Sequence, residues 1–335
     1  MPLLQTRRRR PRTALPTGLL VLLTALAAWA LPAAPPAAAQ VQRVESWGGN
    51  YYGQLGDGTT DERHTPVTVA GLTAANVTSV AAGDGHGLAV LSNGTVKAWG
   101  ANYSGQLGDG TTSDLSTPDR RTPGTVRELS GVTAVAAGCS FSLALLSNGT
   151  VKAWGANYSG QLGNGSTGSM SNPTPVTVID PSNPSAPLRG VTAIAAGCDH
   201  SLALMSDGTV KAWGLNDFGQ LGDGTIGGDS GTPATVANLT GVRDIDAGLS
   251  HSLALRSDRT VRAWGDNSDG QLGDGSIGGA SGTPVTVANL TGVRDIDAGF
   301  SYNLALRSDR TVRAWGDNSD GQLGDGSIGG ASGTP

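Results

Sequence analysis

The sequence lacks every compact catalytic signature: no nucleophile elbow, no HExxH pair, no phosphate loop and no dinucleotide fingerprint. An active site would have to be assembled from scattered loops, and no such constellation stands out. The expectation is a protein that is not an enzyme and holds no cofactor. Helical periodicity is missing too. Glycine (52 residues) and proline (17) recur every few positions, no 3.6-residue apolar period persists, and helical solenoids are excluded. The one apolar stretch, Leu19 to Leu31, is too short to cross a hydrocarbon layer about 30 Å thick. Cations are scarce beyond residue 39. Five of the 22 Lys and Arg precede that point and all 27 Asp and Glu follow it, leaving 17 against 27 and a net charge of −10. With no basic patch interleaved with aromatics, such a surface repels phosphate backbones, and nucleic acid is not an expected partner.

What is present begins with a targeting segment. Arg7 to Arg10 and Arg12 form a basic stretch, Leu19 to Leu31 an apolar one, and Ala37 and Ala39 flank an AxA-like cleavage point before Gln40. Residues 1–39 are read as a cleaved secretion signal, which places the mature chain outside the cell, on its surface or in the periplasm. Pro11, Arg12 and Thr13 follow the arginine run where twin-arginine signals carry other residues, so general secretion is expected. Cys139 and Cys198 are the only cysteines, and neither lies near the cleavage point, where a lipid anchor would attach.

The rest repeats itself. GQLG begins at Gly53, Gly105, Gly160, Gly219, Gly270 and Gly321, each time six residues after a tryptophan: Trp47, Trp99, Trp154, Trp213, Trp264 and Trp315. A period of 51 to 59 residues points to a radial array of small sheets. One copy reads as four strands, Val191 to Ala196, Ser201 to Met205, Val210 to Trp213 and Thr232 to Val236, the size of one propeller blade. Asn93-Gly94, Asn148-Gly149 and Asp207-Gly208 predict type I′ turns between the second and third strands. Arg259 and Arg310 replace that glycine later, which should strain the turn.

The stretch VTAIAAGCDHSLALMSDGTVKAWGLNDFGQLGDGT resembles the repeat of the regulator of chromosome condensation family, with its AAG, HSLAL, DG, WG and GQLG elements in order. The resemblance covers residues 40–335 and implies an all-β fold, a β-propeller of four-stranded blades, usually seven. Here the AAG-type strand occurs five times and the Trp strand six, about five and a half blades. The pattern reads as a ring left open at Pro335, with edges prone to pair with another chain. Residues 237–284 and 288–335 differ at only three of 48 positions, a near-perfect duplication across which a truncated record is expected.

Candidate chemistry sits at shared repeat positions. His86, His200 and His251 could converge as metal ligands, but Phe141 and Tyr302 fill the same position in other copies, so a flat packing group is expected and no metal. Cys139 and Cys198 also share a position in neighbouring units. Export permits a bridge, yet equivalent points of adjacent blades can exceed the roughly 7 Å Cα limit; both outcomes stay open, two thiols being the simpler one. Asp244, Asp246, Asp295 and Asp297 fall on one strand face, where ion pairs with Arg243, Arg262, Arg294 and Arg313 are a better account than a bound cation. The DGQLGDG loops lack the spacing and closing glutamate of a calcium loop.

Strand parity supplies the functional expectation. In an antiparallel four-stranded blade, the first-to-second and third-to-fourth connections emerge on one side. That face gathers Tyr51, Tyr52, Tyr103, Tyr158 and Phe218 from the loops before GQLG, and Asp84, Cys139, Cys198, Leu249 and Phe300 from the first loops. The duplicated copies differ at Leu249/Phe300, His251/Tyr302 and Ser252/Asn303, in or beside the same loops, as a diversifying contact surface would. Tyr51, Tyr52, Tyr103, Tyr158, Phe218, Leu249 and Phe300 are therefore the candidate partner-binding residues. The expected function is an exported scaffold that binds a protein or cell-surface ligand. A secreted inhibitor of the β-lactamase-inhibitor type is one alternative, weakened by the GDGTT insertion. Guanine-nucleotide exchange on a small GTPase, the activity of the family's founding member, is another, weakened by the export signal and by an insertion, Ser169 to Arg189, that reads as a Pro/Ser-rich loop without a strand-like wedge.

Overall fold

The computed structural model describes residues 43–73, 76–114, 119–168 and 171–335; the expected export signal lies outside them. Regular structure among these residues is all strand. β1 (Arg43–Gly48) pairs with β2 (Arg63–Thr73). Five four-stranded antiparallel sheets are built in simple chain order. The first is β3 (Val77–Ala82), β4 (His86–Leu91), β5 (Val96–Gly100) and β6 (Arg120–Thr125), and the second β7 (Val132–Ala137), β8 (Phe141–Leu146), β9 (Val151–Gly155) and β10 (Asn172–Thr177). A short ribbon, β11 (Ile179–Asp180) and β12 (Asn183–Pro187), precedes the third, which is β13 (Val191–Ala196), β14 (His200–Met205), β15 (Val210–Gly214) and β16 (Ser230–Thr235). The fourth is β17 (Val242–Ala247), β18 (His251–Arg256), β19 (Val261–Asp266) and β20 (Ala280–Thr286), and the fifth β21 (Val293–Ala298), β22 (Tyr302–Arg307), β23 (Val312–Asp317) and β24 (Ala331–Ser332). Inner strands touch in succession, β3 with β7, β7 with β13, β13 with β17 and β17 with β21. This is the blade sequence of a propeller.

A blade with neighbours on both sides is covered on both faces, and its composition follows. The first five residues of β14 are buried without polar alternation, as a strand enclosed on two sides requires. Leu202, Leu204, Val210 and Ala212 share one cluster with Val242, Ile245, Ala254 and Trp264 of the next blade. Leu221 of the GQLG loop joins it, and Gly222 beside it has φ 67°, with space for a Cβ only 2.7 Å from the Trp264 Nε1. Glycine is required there by backbone and by neighbour.

A polar relay fastens the blades. The Gln161 carbonyl accepts from Trp213 Nε1 at 2.9 Å and from Ser201 Oγ at 2.8 Å, both in the next blade. The Gln106 and Gln220 carbonyls do the same for Trp154 with Ser142 and for Trp264 with Ser252. His86 Nε2 then lies 2.9 Å from Ser142 Oγ, His200 Nε2 3.0 Å from Ser252 Oγ, and His251 Nε2 2.7 Å from Asn303 Oδ1. Each serine gives its one proton to a carbonyl, so the imidazole must donate: Nε2 carries the hydrogen, and Nδ1 is a buried acceptor with no hydrogen-bond partner. Burial pushes His86 down to about 4 and His200 to about 3, so both are neutral. The shared histidine position is thus a packing site, as read from Phe141, and also a blade-to-blade bolt.

Two local readings are corrected. Gly94, Gly149 and Gly208 have φ of 76°, 74° and 80°, but Asn93, Asn148 and Asp207 do not share the positive sign, so the turns are not type I′. The Gly94 N–H bonds to the Leu91 carbonyl while Leu91 pairs with Thr95, closing a three-residue loop with glycine in the left-handed bulge position. Asn93 Oδ1 accepts from the Thr95 N–H and hydroxyl, which favours this form. Second, the insertion before the third blade is not wholly loop: it contains the β11–β12 ribbon.

Candidate functional site

The predicted aromatic face exists, divided into two clusters. Tyr51 and Tyr52 meet edge to face at 4.9 Å, and Tyr52 and Tyr103 at 6.3 Å. With Thr60, Ser113, Asp114, Asp119 and Arg121 they line a cleft of about 510 Å³. Tyr103 is anchored by its hydroxyl, 2.8 Å from Ser140 Oγ, while Tyr51 is 81% exposed. Burial raises the Tyr52 hydroxyl above its usual range, and Tyr103, Tyr51, Asp119 and Asp84 add to the rise, marking a locally acidic surround. Tyr158 and Phe218 continue the exposed row on later blades but make no ring contact among the described residues. Asp114, Asp119 and Arg121 were not singled out from the sequence; their place in the extended loop after the second GQLG was the available signal.

The second cluster rims the mouth of the central channel. Asp84, Cys139, Cys198, Leu249 and Phe300 meet there around a cavity of about 40 Å³. Cys139 and Cys198 form a disulfide with Cα atoms 4.5 Å apart. Of the two outcomes left open, the bridge is the one formed, because at the axis adjacent blades approach to backbone hydrogen-bond range. Cys139 N bonds to Cys198 O, Cys198 N to Leu249 O, and Leu249 N to Phe300 O.

Two of the three differences between the duplicated copies lie off the loop face. His251 and Asn303 are fully buried members of the relay, where asparagine keeps the serine's role by accepting with Oδ1 and donating Nδ2 to the Gln271 carbonyl at 2.9 Å. Only Leu249/Phe300 varies on the face itself. The four strand aspartates also do not gather as a cation site: Asp246 Oδ2 accepts from Ala298 N in the next blade at 2.9 Å. No metal-holding cluster occurs among the described residues.

A cleft of about 600 Å³ follows the inner side of β1, between Trp47 and residues of the fifth blade such as Tyr302 and Gln322. Trp47 is 38% exposed, whereas the other five repeat tryptophans are buried. Gly324 touches nothing, although every earlier glycine at its position meets the next tryptophan. Among the described residues, a gap at this seam therefore separates β1 from the fifth blade.

The repeated sheets and their GQLG–Trp fastening decide the family. The chain belongs to the RCC1-like domain family. Its family model matches residues 39–332. The ultraviolet-B receptor UVR8 of Arabidopsis thaliana is 31% identical over 286 residues, 84% of this chain and 62% of that protein. The probable E3 ubiquitin-protein ligase HERC6 of Homo sapiens is 35% identical over 263 residues, 76% of this chain and only 25% of the ligase. Among solved structures, Prp20p of Saccharomyces cerevisiae superposes with a TM-score of 0.74 at 26% identity over 88% of this chain and 72% of that one. Human WBSCR16 gives 0.76 at 25% identity over 88% and 76%. The chain therefore spans less than two thirds of the curated relatives' length. RCC1-like propellers are generally regulators or binders, and the ligase relatives extend well beyond the shared region.

Proposed function

We propose that this RCC1-like propeller is an exported, non-catalytic scaffold that holds a protein ligand against its tyrosine-bearing loop face. The observation that carries the reading is the Tyr51–Tyr52–Tyr103 cleft: large, exposed rings fixed by one another and by Ser140 on loops that the blades hold rigidly. Rigid amphipathic rings give contact area at low entropic cost. The yeast relative Prp20p is described by its binding to Gsp1p and histones, which supports protein binding as the family's mode of action. Export rests on residues 1–39 alone. The test is a paired one. N-terminal sequencing of the secreted protein should begin near Gln40; an intact Met1 would overturn export. Crosslinked partners from the cell-envelope fraction should be lost from Tyr51→Ala/Tyr103→Ala while the tryptophan emission of the folded chain is unchanged; retention of the same partners would overturn the binding face.

Nucleotide exchange on a GTPase is a second reading, favoured by the β11–β12 ribbon, which projects from a fourth-strand-to-first-strand connection on the opposite face. Release of labelled GDP from a small GTPase, lost on deleting residues 181–186, is the result that would establish it.

A further inference from the structure

The net charge conceals a polarity. Sorted by strand polarity, seventeen of the 27 carboxylates lie on the connections and strand ends of the tyrosine face, against three arginines, Arg63, Arg120 and Arg121. The opposite end carries fourteen Lys and Arg against five carboxylates, Glu128, Asp180, Asp207, Asp258 and Asp309. A six-residue strand separates the ends by roughly 20 Å, more than two Debye lengths at physiological salt, about 8 Å each. An anion approaching the basic end is thus screened from the acidic one, and the chain's overall charge does not govern it.

The basic end is concentrated in the fourth and fifth blades. Arg243, Arg256, Arg259 and Arg262 stand at this end of one, and Arg294, Arg307, Arg310 and Arg313 repeat them in the next. In the third blade the corresponding residues are Thr192, Met205, Gly208 and Lys211, so three of four positions per blade have become cationic together. Some of the eight are used internally. Arg256 and Arg307 pair with Asp258 and Asp309 at 2.8 and 3.0 Å, and Arg243 reaches the carbonyls of Val293 and Arg294. No side-chain hydrogen bond or ion pair engages Arg259, Arg262, Arg294, Arg310 or Arg313 among the described residues.

A second observation is independent of charge. Arg259 and Arg310 hold φ of 67° and 72° at exposed turn tips, where the first three blades have glycine. Left-handed backbone is costly for a residue with a long side chain, and strain retained at an exposed tip points to use. All exposed aromatic side chains except those on the seam lie on the other face, so nucleobases find no stacking platform here.

We propose that the arginine end of the fourth and fifth blades binds an acidic polysaccharide, its guanidinium forks taking sulfate, phosphate or carboxylate groups along a flexible sugar chain. The site is separate from the tyrosine cleft, so one disc can rest on an anionic glycan while presenting its other face to a protein. The probe is heparin, titrated against the full chain by fluorescence anisotropy in 50 to 200 mM salt, with duplex DNA and phosphatidylserine vesicles in parallel. Heparin should bind with an affinity that falls at least tenfold across that range. Arg259→Gly/Arg310→Gly, which restores the glycine of the other blades and so folds, should weaken binding at least fivefold; adding Arg262→Ala/Arg313→Ala should abolish it, while Tyr51→Ala/Tyr103→Ala leaves it unchanged. Absence of heparin binding at 50 mM salt, or equal binding by the glycine variant, overturns the site. Tighter binding of DNA or vesicles than of heparin overturns the polysaccharide as its ligand.

Discussion

Gly222 and Arg259 show the same backbone constraint met in opposite ways. At Gly222 positive φ coincides with the indole of Trp264, whose Nε1 lies 2.7 Å from where a Cβ would sit. Gly222→Ala should therefore lose stability by about 2–5 kcal/mol, combining left-handed strain with overpacking, read as a lower urea midpoint at unchanged m-value. A loss below about 1 kcal/mol would show that the blade interface yields. Arg259 is exposed, so only its backbone is constrained. Arg259→Gly should accordingly stabilise, by about 0.5–1 kcal/mol, since relief of strain exceeds the entropy that glycine adds to the unfolded chain. A residue whose removal raises stability yet weakens anion binding is what a functional compromise predicts.

Between elements, the His–Ser–Gln–Trp relay makes the blade interface sensitive to acid. In unfolded chain a histidine titrates near 6.5, whereas His86 and His200 titrate at about 4 and about 3 in the folded protein. Their folded pKa values are depressed, so stability is full above about pH 6.5 and falls as the pH drops toward those lower values, where only the unfolded chain takes up protons. Each contributes a loss of about 2 kcal/mol between pH 6.5 and 4.5. His86→Phe/His200→Phe, which copies the Phe141 of the second blade, should flatten that part of the urea-midpoint profile; an unchanged slope would mean that other groups control it. The Cys139–Cys198 staple is a separate link, closing a separation of 59 residues between the second and third blades. Cys139→Ser/Cys198→Ser should cost about 2–4 kcal/mol, chiefly through the freer unfolded chain, and make the midpoint indifferent to reductant.

For the whole molecule, what the sequence revealed follows from what repeats. The Trp and GQLG spacing exposes the blade count because each blade must offer its neighbours the same faces, and strand parity correctly places Tyr51, Tyr103 and Phe300 on one end. The relay was illegible because its partners lie 32 to 56 residues apart, and the disulfide because it depends on how closely blades converge at the axis. The turn type escaped since Asn-Gly serves two turns equally, and the charge polarity because a net charge sums over faces. The open seam gives a prediction at this scale. A propeller's blades are stabilised mainly by nearest neighbours, so blades flanked on one side only should open first. The β1–β2 pair keeps Trp47 partly exposed, and the fifth blade leaves Leu306 and Val312 exposed on its flank, whereas their counterparts Leu255 and Val261 are fully buried. Native-state hydrogen exchange should thus be fastest in β1–β2 and β21–β24 and slowest in β13–β16, which has whole blades on both sides and the disulfide beside it. Uniform protection across all blades would mean that the ring unfolds as one cooperative body and that the seam is closed in solution.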